Sequence, residues 1–162
     1  MDPKPEILII DDSLADVKLA FHALNRSGAL VELVVVRDGE EALEFLLQRG
    51  RYEKSVAARS MKLILLDLKL PKINGFEVLR TIKAEETTRT IPVVVLSTSH
   101  QERDLLEGYR LGANSYVQKP VDFERYQTLI ESIKTYWLSI NQTPRPSQSN
   151  ATERSSALEM LP

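Results

Sequence analysis

Residues 6–13 read Glu6-Ile7-Leu8-Ile9-Ile10-Asp11-Asp12-Ser13, a continuous apolar run that ends in two carboxylates and a hydroxyl. A continuous run of this kind is typical of a strand buried on both faces of a sheet. Ser13 is a favourable helix N-cap, and Asp16 stands three residues later as its capping-box partner. The stretch therefore predicts a buried strand, an acidic turn and then a helix.

The same alternation of strand and helix patterns recurs along the chain. Four more apolar runs follow, at 31–36, 62–67, 91–96 and 115–117. Each of the five runs is followed by an amphipathic helical stretch. The first two of these stretches end near Gly28 and Gly50, and the other three cover about 76–82, 101–111 and 123–140.

This alternation predicts the fold class. Strands joined through helices must be parallel, with right-handed crossovers, and the helices must cover both faces of the sheet. The chain is therefore expected to be an α/β protein, a doubly wound five-stranded parallel sheet with five helices. Five strands favour the flavodoxin-like order 2-1-3-4-5 over the six-stranded dinucleotide-binding order.

The composition is that of an ordinary globular protein. Of the 162 residues 43% are hydrophobic, and 21 basic against 23 acidic residues give a net charge of −2. This balance gives no electrostatic reason to expect nucleic-acid or membrane binding. The absence of cysteine excludes disulfides and thiolate metal sites. No apolar stretch is long enough to span a bilayer and the first residues do not resemble a signal peptide, so a cytoplasmic protein is predicted.

The domain organisation is expected to be simple. One domain is predicted over residues 1–140, and a disordered tail over 141–162, where Gln, Pro, Ser, Asn, Thr and Arg dominate. Because only about two dozen residues follow the last predicted helix, the output is expected to be a protein contact.

Polar side chains gather where the predicted strands end. Asp11 and Asp12 follow the first strand, Asp67 the third, Ser97 the fourth and Lys119 the fifth. In an open parallel sheet, ligands bind beyond the carboxyl ends of the strands. Clustered carboxylates repel one another unless a cation lies between them, and oxygen ligands without His or Cys favour Mg²⁺. A site with Mg²⁺ and a lysine can neutralise a transferring phosphoryl group.

Each of these residues alone also has a structural explanation. Asp12 could cap the first helix, Asp67 could form an Asx-type turn, and Lys119 could be a solvated surface lysine. Their coincidence at one edge of four different strands favours the functional interpretation. His22 and His100 are interpreted as structural or exposed residues without a role in the site.

One ordered set of motifs joins these positions: Asp11-Asp12, then Asp67-Leu68-Lys69-Leu70-Pro71 with Gly75, then Ser97, Tyr116 and Lys119-Pro120. This set resembles the receiver domain of two-component response regulators, and the resemblance covers roughly residues 6–138. It implies a signalling phosphoacceptor rather than an enzyme. The new phosphoryl group would bias a two-state surface made by helix four, strand five and helix five.

The resemblance also implies roles for single residues. Asp67 would accept the phosphoryl group, and Asp11, Asp12, Asp67 and the backbone carbonyl of Lys69 would hold Mg²⁺. Lys119 would pair with the phosphoryl oxygens, Ser97 would offer its hydroxyl to them, and Tyr116 would be the switch aromatic. The peptide bond between Lys119 and Pro120 is expected to be cis, as is usual in the family.

The stretch Arg51–Arg59 makes the segment between the second helix and the third strand longer than in most receivers. It resembles the single-domain regulators associated with bacterial phytochrome kinases, as do Ile91–His100 and the pair Tyr136-Trp137. This implies a histidine kinase of the phytochrome type as partner. The insert itself could contact that kinase, but a solvated basic loop is the simpler interpretation.

The last helix carries two apolar stripes, of which one must face the core. The second stripe, with Leu129 and Tyr136, together with Leu105 on helix four, is a candidate homodimer interface. Alternatively, a long terminal helix buries both stripes against its own domain.

Three other functions are alternatives to that of a receiver. A nucleotide- or flavin-binding protein would need a glycine-rich loop where Asp11 and Asp12 stand. A haloacid-dehalogenase-like phosphatase would need a second Asp two residues after Asp67, where the chain has Lys69. The serious alternative is a receiver-like dimeric docking module that is rarely or never phosphorylated.

Overall fold

The structure, a computed structural model, describes residues 6–26 and 30–144. Five parallel strands form one sheet: β1 (Ile7–Ile10), β2 (Leu33–Val36), β3 (Leu63–Asp67), β4 (Val93–Ser97) and β5 (Ser115–Gln118). Their order is β2-β1-β3-β4-β5, and every neighbouring pair is parallel. The predicted flavodoxin-like order is confirmed.

Five helices connect and follow the strands: α1 (Leu14–Asn25), α2 (Gly39–Leu46), α3 (Gly75–Ala84), α4 (Glu102–Arg110) and α5 (Phe123–Lys134). Four of them begin at a residue whose side chain accepts a hydrogen bond from a backbone N–H three residues later, namely Ser13, Asp38, Asn74 and Asp122. Such caps satisfy backbone donors that the first turn leaves free. They also fix the direction in which each helix leaves the site edge of the sheet.

One helix end and the form of another helix differ from the predictions. The second helix ends at Leu46, before the predicted Gly50, because Gln48 adopts a φ of 55° that a continuing helix does not allow. The last helix changes to a π-helical segment over Thr135–Ile140, which closes with a hydrogen bond from the Asn141 amide to the Tyr136 carbonyl. The predicted end at Gly28 lies outside the described residues.

The sheet has an apolar core on each face because its central strands alternate between them. Ile7, Ile9, Leu63 and Leu65 pack beneath α1 and α5. Leu8, Ile10, Ile64 and Leu66 pack beneath α2 and α3. Burying one such side chain is worth about 1.5–3 kcal/mol, so these two layers hold the strand ends in a fixed arrangement.

The insert between α2 and β3 is folded against the domain. It contains two short 3₁₀ turns, Gly50–Tyr52 and Ala57–Ser60. The Tyr52 ring meets the Phe45 ring edge-on at 5.3 Å, and Ala58 and Met61 are buried in the α2–α3 core. The interpretation of the insert as a simple solvated loop is therefore wrong for its apolar side chains, although Arg51, Lys54 and Arg59 are exposed.

Between residues 6 and 144, apart from the gap at 27–29, no helix combines the length and the apolar character needed to cross a bilayer.

Candidate functional site

Three carboxylates meet at the carboxyl edge of the sheet. Asp11 and Asp12 follow β1, and Asp67 ends the neighbouring strand β3, so the β1–β3 pairing brings them together. One oxygen from each lies within 4.8 Å of the others, which is close enough for one cation to bind all three. Asp11 is buried, Asp67 is half-buried and Asp12 is exposed. A donor set made of oxygen alone fits a hard divalent cation such as Mg²⁺.

Lys119 completes the charge arrangement. It follows β5, and its amide donates to the Ser97 carbonyl at 2.8 Å, which holds it at the same sheet edge. Its side chain is only 5% exposed. The Nζ ammonium donates to Asp11 Oδ2 at 2.8 Å, to Asp16 Oδ2 at 2.9 Å and to Asp67 Oδ2 at 3.3 Å. One buried cation is thus shared by three carboxylates.

The electrostatics of this group favour a charged lysine. Burial opposes the charge on Lys119, but hydrogen bonds to Asp11 and Asp16 and the charges of Asp11 and Asp67 outweigh burial and raise its pKa. Burial raises the pKa of Asp11, and contact with Lys119 only partly offsets this. The buried carboxylate is therefore incompletely neutralised by the lysine, and a bound cation would stabilise its ionised form.

The predicted cis bond is wrong. No peptide bond in the described parts of the chain is cis, so the bond between Lys119 and Pro120 is trans. The trans form is intrinsically the more stable one for an Xaa–Pro bond, by about 0.5–1 kcal/mol. The hydrogen bond from the Lys119 amide to β4 forms with this trans bond in place.

Ser97 and Tyr116 lie on the neighbouring strands β4 and β5. Ser97 is buried, and its Oγ accepts a hydrogen bond from the Ser99 amide at 3.1 Å. The Tyr116 Oη is the one buried side-chain polar atom within the described ranges that has no hydrogen-bond partner. Its ring packs against α4 at Gly108, where a Cβ would lie 3.0 Å from Tyr116 Cδ2. Tyr116, the predicted switch aromatic, therefore packs closely against α4, and its hydroxyl makes no hydrogen bond.

A pocket of about 220 Å³ opens between α4 and β5 beside Tyr116. Leu105, His100 and Gln118 are part of its lining, together with Ser99, Gln101 and Glu102. His100 Nε2 lies 2.9 Å from the Gln118 side-chain nitrogen. His100, which the sequence placed outside the site, thus lies next to the predicted switch residue.

The loop after β3 carries Lys69 and is held by contacts with Asp67 and with the start of α2. The Lys69 amide donates to Asp67 Oδ1 at 3.2 Å, which turns the loop back toward the acid cluster. Lys72, with a φ of 66°, lies 3.5 Å from carboxylate oxygens of both Asp38 and Glu40 at the start of α2. The first turn of α2 is thereby fastened to the loop that supplies the predicted metal-binding carbonyl.

Two residues near the site were missed by the sequence reasoning. The Asp16 amide donates to Ser13 Oγ at 3.3 Å, as a cap requires, but its carboxylate binds Lys119. Arg37, which follows β2, donates to the Asp12 carbonyl at 3.2 Å. A signal existed for both: Asp16 lies one helical turn after Asp12, and Arg37 follows a strand at the same sheet edge.

The residues of the predicted dimer interface differ in exposure. Leu129 packs partly against the α1–α5 core and Leu105 is half-buried, while Tyr136 is about half exposed. On α4, Leu106 and Tyr109 are more exposed than Leu105. Of the three predicted interface residues, the structure leaves Tyr136 the most accessible.

Comparison with known proteins identifies the family. The family model described as "Response regulator receiver domain" matches residues 7–131. The chain belongs to this receiver-domain family. The match lies within the predicted domain 1–140, and the predicted tail lies outside the described residues from position 145 onward.

The receiver has relatives that it covers nearly end to end. Response regulator Rcp1 of Synechocystis sp. is 41% identical over 143 residues, which cover 88% of this chain and 95% of that protein. The probable methanogenesis regulatory protein FilR2 of Methanothrix harundinacea is 42% identical over 142 residues, covering 86% and 88%.

Solved structures give the same result. The phosphorylated cyanobacterial phytochrome response regulator RcpA has a TM-score of 0.82 at 40% identity, covering 88% of this chain and 99% of that one. The Mn²⁺-bound form of Rcp1 has a TM-score of 0.80 at 42% identity, with the same coverage. The receiver is thus a two-component response regulator homologous to a cyanobacterial phytochrome response regulator.

Proposed function

We propose that this response regulator accepts a phosphoryl group on Asp67, with Mg²⁺ held by Asp11, Asp12, Asp67 and the Lys69 carbonyl. The observation that carries the proposal is the buried Lys119 ammonium, 3.3 Å from Asp67 Oδ2, beside a three-carboxylate cluster that can bind a cation. A nucleophilic carboxylate with positive charge close to it is what transfer of an anionic phosphoryl group requires, and Lys119 and a bound Mg²⁺ would supply that charge.

The chemistry is a substitution at phosphorus. An Asp67 carboxylate oxygen forms a bond to phosphorus while the bond from phosphorus to the donor breaks, and the leaving group takes the electron pair. Bound Mg²⁺ would supply positive charge to the phosphoryl oxygens. One N–H of Lys119, which donates to Asp67 Oδ2 before the reaction, then donates its hydrogen bond to a phosphoryl oxygen instead. Asp67 itself keeps the phosphoryl group, so the protein acts as a phosphoacceptor that assists its own phosphorylation rather than as an enzyme.

The phosphoryl group would signal through Ser97 and Tyr116. The Ser97 hydroxyl accepts a bond from the Ser99 amide, so its own proton is available to a phosphoryl oxygen. Movement of Ser97 would pull the segment after β4, which lines the pocket beside Tyr116. Tyr116 would then leave its contact with Gly108, where its hydroxyl has no partner. The surface of α4, β5 and α5 would change with it.

The partners follow from the relatives and from this surface. The proposed donor is a histidine kinase of the phytochrome type, because the chain matches the cyanobacterial phytochrome response regulator RcpA over nearly the whole length of that protein. The proposed location of this protein is the cytoplasm. The proposed output is homodimerisation through the α4–β5–α5 surface, with Leu105, Leu129 and Tyr136. The exposed Leu106 on α4 supports an apolar contact there.

The test is phosphorylation by acetyl phosphate, followed by phosphate-affinity gel mobility. Wild type should shift in the presence of Mg²⁺ and not in EDTA, and Asp67→Asn should never shift. Asp122→Asn is the matched control, because Asp122 caps α5, is not a member of the carboxylate cluster and can be replaced by Asn, which caps equally well. If folded wild type does not shift with any divalent metal, the alternative of an unphosphorylated docking module is favoured.

A further inference from the structure

We propose that Asp16 is a positioning residue for phosphoryl transfer: its carboxylate fixes the Lys119 ammonium so that one N–H remains directed at Asp67. This inference rests on the proposed function of Asp67 as phosphoacceptor. Asp16 lies in the first turn of α1 and outside the three-carboxylate cluster that could hold a cation.

The three contacts of the Lys119 ammonium differ in length, and this difference indicates a different role for each carboxylate. A lysine ammonium has three N–H donors, and here three carboxylates accept them. The two shorter contacts, to Asp11 at 2.8 Å and Asp16 at 2.9 Å, hold the nitrogen from two sides. The longest contact, to Asp67 at 3.3 Å, is the one that a phosphoryl oxygen would replace.

A water molecule in the place of Asp16 would supply no negative charge to Lys119. The Lys119 side chain is 5% exposed, whereas the Asp16 side chain is 31% exposed and reaches inward from the rim. The backbone amide of Asp16 donates to Ser13 Oγ, whereas its carboxylate accepts from Lys119, so the helix cap and the lysine contact use different groups of Asp16. If the carboxylate is lost, one buried N–H of Lys119 is left without a charged acceptor.

Asp16 matters most when the metal is bound. A divalent cation shares the charge of Asp11 and Asp67, and this weakens their hold on Lys119. Asp16 is then the remaining carboxylate that is not a proposed metal ligand. It keeps Nζ in place while the third N–H exchanges Asp67 Oδ2 for a phosphoryl oxygen, so the charge stabilisation needs no rearrangement at the moment of transfer.

The competing explanation is a structural tether. Asp16 and Lys119 join α1 to the segment after β5, and removing the pair would lower the stability of the domain whether or not it serves the reaction. Ser13→Ala separates the two roles, because it weakens the α1 N-terminus by about 1 kcal/mol and leaves the Asp16–Lys119 contact intact.

The experiment measures the rate of phosphorylation by acetyl phosphate at saturating Mg²⁺, using intact-protein mass spectrometry, for wild type, Asp16→Ala, Asp16→Asn and Ser13→Ala. Each variant is first shown to be folded by circular dichroism. A loss of about tenfold is expected for Asp16→Ala, less than the factor of about 10²–10³ that follows removal of a group in direct contact with the developing charge, because Asp16 acts through Lys119. Asp16→Asn keeps a neutral acceptor and should fall between, and Ser13→Ala should match wild type.

A spectroscopic signal reports on the lysine itself. Wild type should give a slowly exchanging ¹⁵N ammonium resonance that is lost in Lys119→Met. Asp16→Ala should broaden or remove it, whereas Ser13→Ala should keep it.

If wild type is phosphorylated and both Asp16 variants react at the wild-type rate, the positioning role is overturned and Asp16 is a structural tether. Absence of phosphorylation in wild type itself would overturn the proposed function as well. If Asp16→Ala does not fold, the comparison rests on Asp16→Asn, which conserves the shape of the side chain.

Discussion

At the residue scale, two glycines bring backbone segments together beneath the acid cluster. A Cβ on Gly75 would lie 2.5 Å from the Asp67 carbonyl oxygen, and one on Gly39 would lie 1.9 Å from the Ile73 carbonyl oxygen. Real Cβ atoms do not approach other atoms so closely, so no side chain fits at either position without displacing backbone. The loop between β3 and α3 thus owes its position to the absence of two methyl groups.

Gly39→Ala should displace this loop. The added methyl group must push the Ile73 backbone away from α2, at an expected cost of about 2–4 kcal/mol in the free energy of unfolding. Because the same loop carries Lys69, Mg²⁺ affinity should fall together with stability. Urea unfolding and isothermal titration calorimetry measure the two effects. Wild-type values for both would show that the α2 contact does not set the loop.

At the element scale, the insert acts as a brace on α2. Tyr52 Oη donates to Glu41 Oε1 at 2.7 Å, and Arg51 lies 3.3 Å from a Glu44 carboxylate oxygen. Burial and the Glu41 hydrogen bond raise the pKa of Tyr52. Neither Glu41 nor Glu44 belongs to the acid cluster, so the brace should serve stability rather than the reaction.

Tyr52→Ala should therefore lower the free energy of unfolding by about 2–3 kcal/mol, and Tyr52→Phe by about 1 kcal/mol, the usual value of one hydrogen bond. The phosphorylation rate should stay at the wild-type value. Trypsin should cleave the loosened insert of Tyr52→Ala faster at Arg51, Lys54 and Arg59. Tyr109→Phe, an exposed tyrosine on α4, is the control. Unchanged cleavage in Tyr52→Ala would contradict the brace.

Lys83 connects three elements at the opposite edge of the sheet. From α3 its Nζ donates to the Arg89 and Ile91 carbonyls before β4, and to Asn114 Oδ1 before β5. Burial lowers its pKa to about 8. In the unfolded chain a lysine binds its proton up to about pH 10.4. Between these values unfolding takes up a proton, so the contribution of Lys83 to stability rises with pH.

Relative to Lys83→Met, the wild-type free energy of unfolding should increase between pH 8 and pH 10 by on the order of 2 kcal/mol, at about 1.4 kcal/mol per pKa unit. Chemical denaturation at half-unit pH steps measures this difference. The exposed Lys18→Met should track wild type across the range. A parallel course of wild type and Lys83→Met would mean that the folded lysine keeps its ordinary pKa.

At the scale of the whole molecule, continuous apolar runs and the acids that follow them were sufficient to predict the sheet order and the neighbours Asp11, Asp12 and Asp67. Local pattern alone assigned the Asp16 carboxylate to a capping box, but the Ser13 amide donates to Asp11 instead, and the Asp16 carboxylate accepts from the distant Lys119. Nor did it reveal that Tyr52 would pack on Phe45, since that contact depends on how the insert turns back. The cis prediction at Pro120 came from the family resemblance, whereas the trans bond agrees with the intrinsic preference of an Xaa–Pro bond.

Metal binding should be visible in the stability of the entire domain, because the acid cluster joins β1 to β3 at the centre of the sheet. A ligand that binds only the folded state at a hundred times its dissociation constant adds about 2.7 kcal/mol. For a domain of this size that corresponds to a rise in Tm of roughly 5–10 °C. Calorimetry with saturating MgCl₂ against EDTA, at equal ionic strength, should show this rise in wild type and in Asp122→Asn. Asp11→Asn and Asp12→Asn should lose most of this Mg²⁺-dependent rise in Tm. An equal Mg²⁺-dependent rise in all four proteins would place the cation elsewhere on the surface and remove the metal from the proposed mechanism.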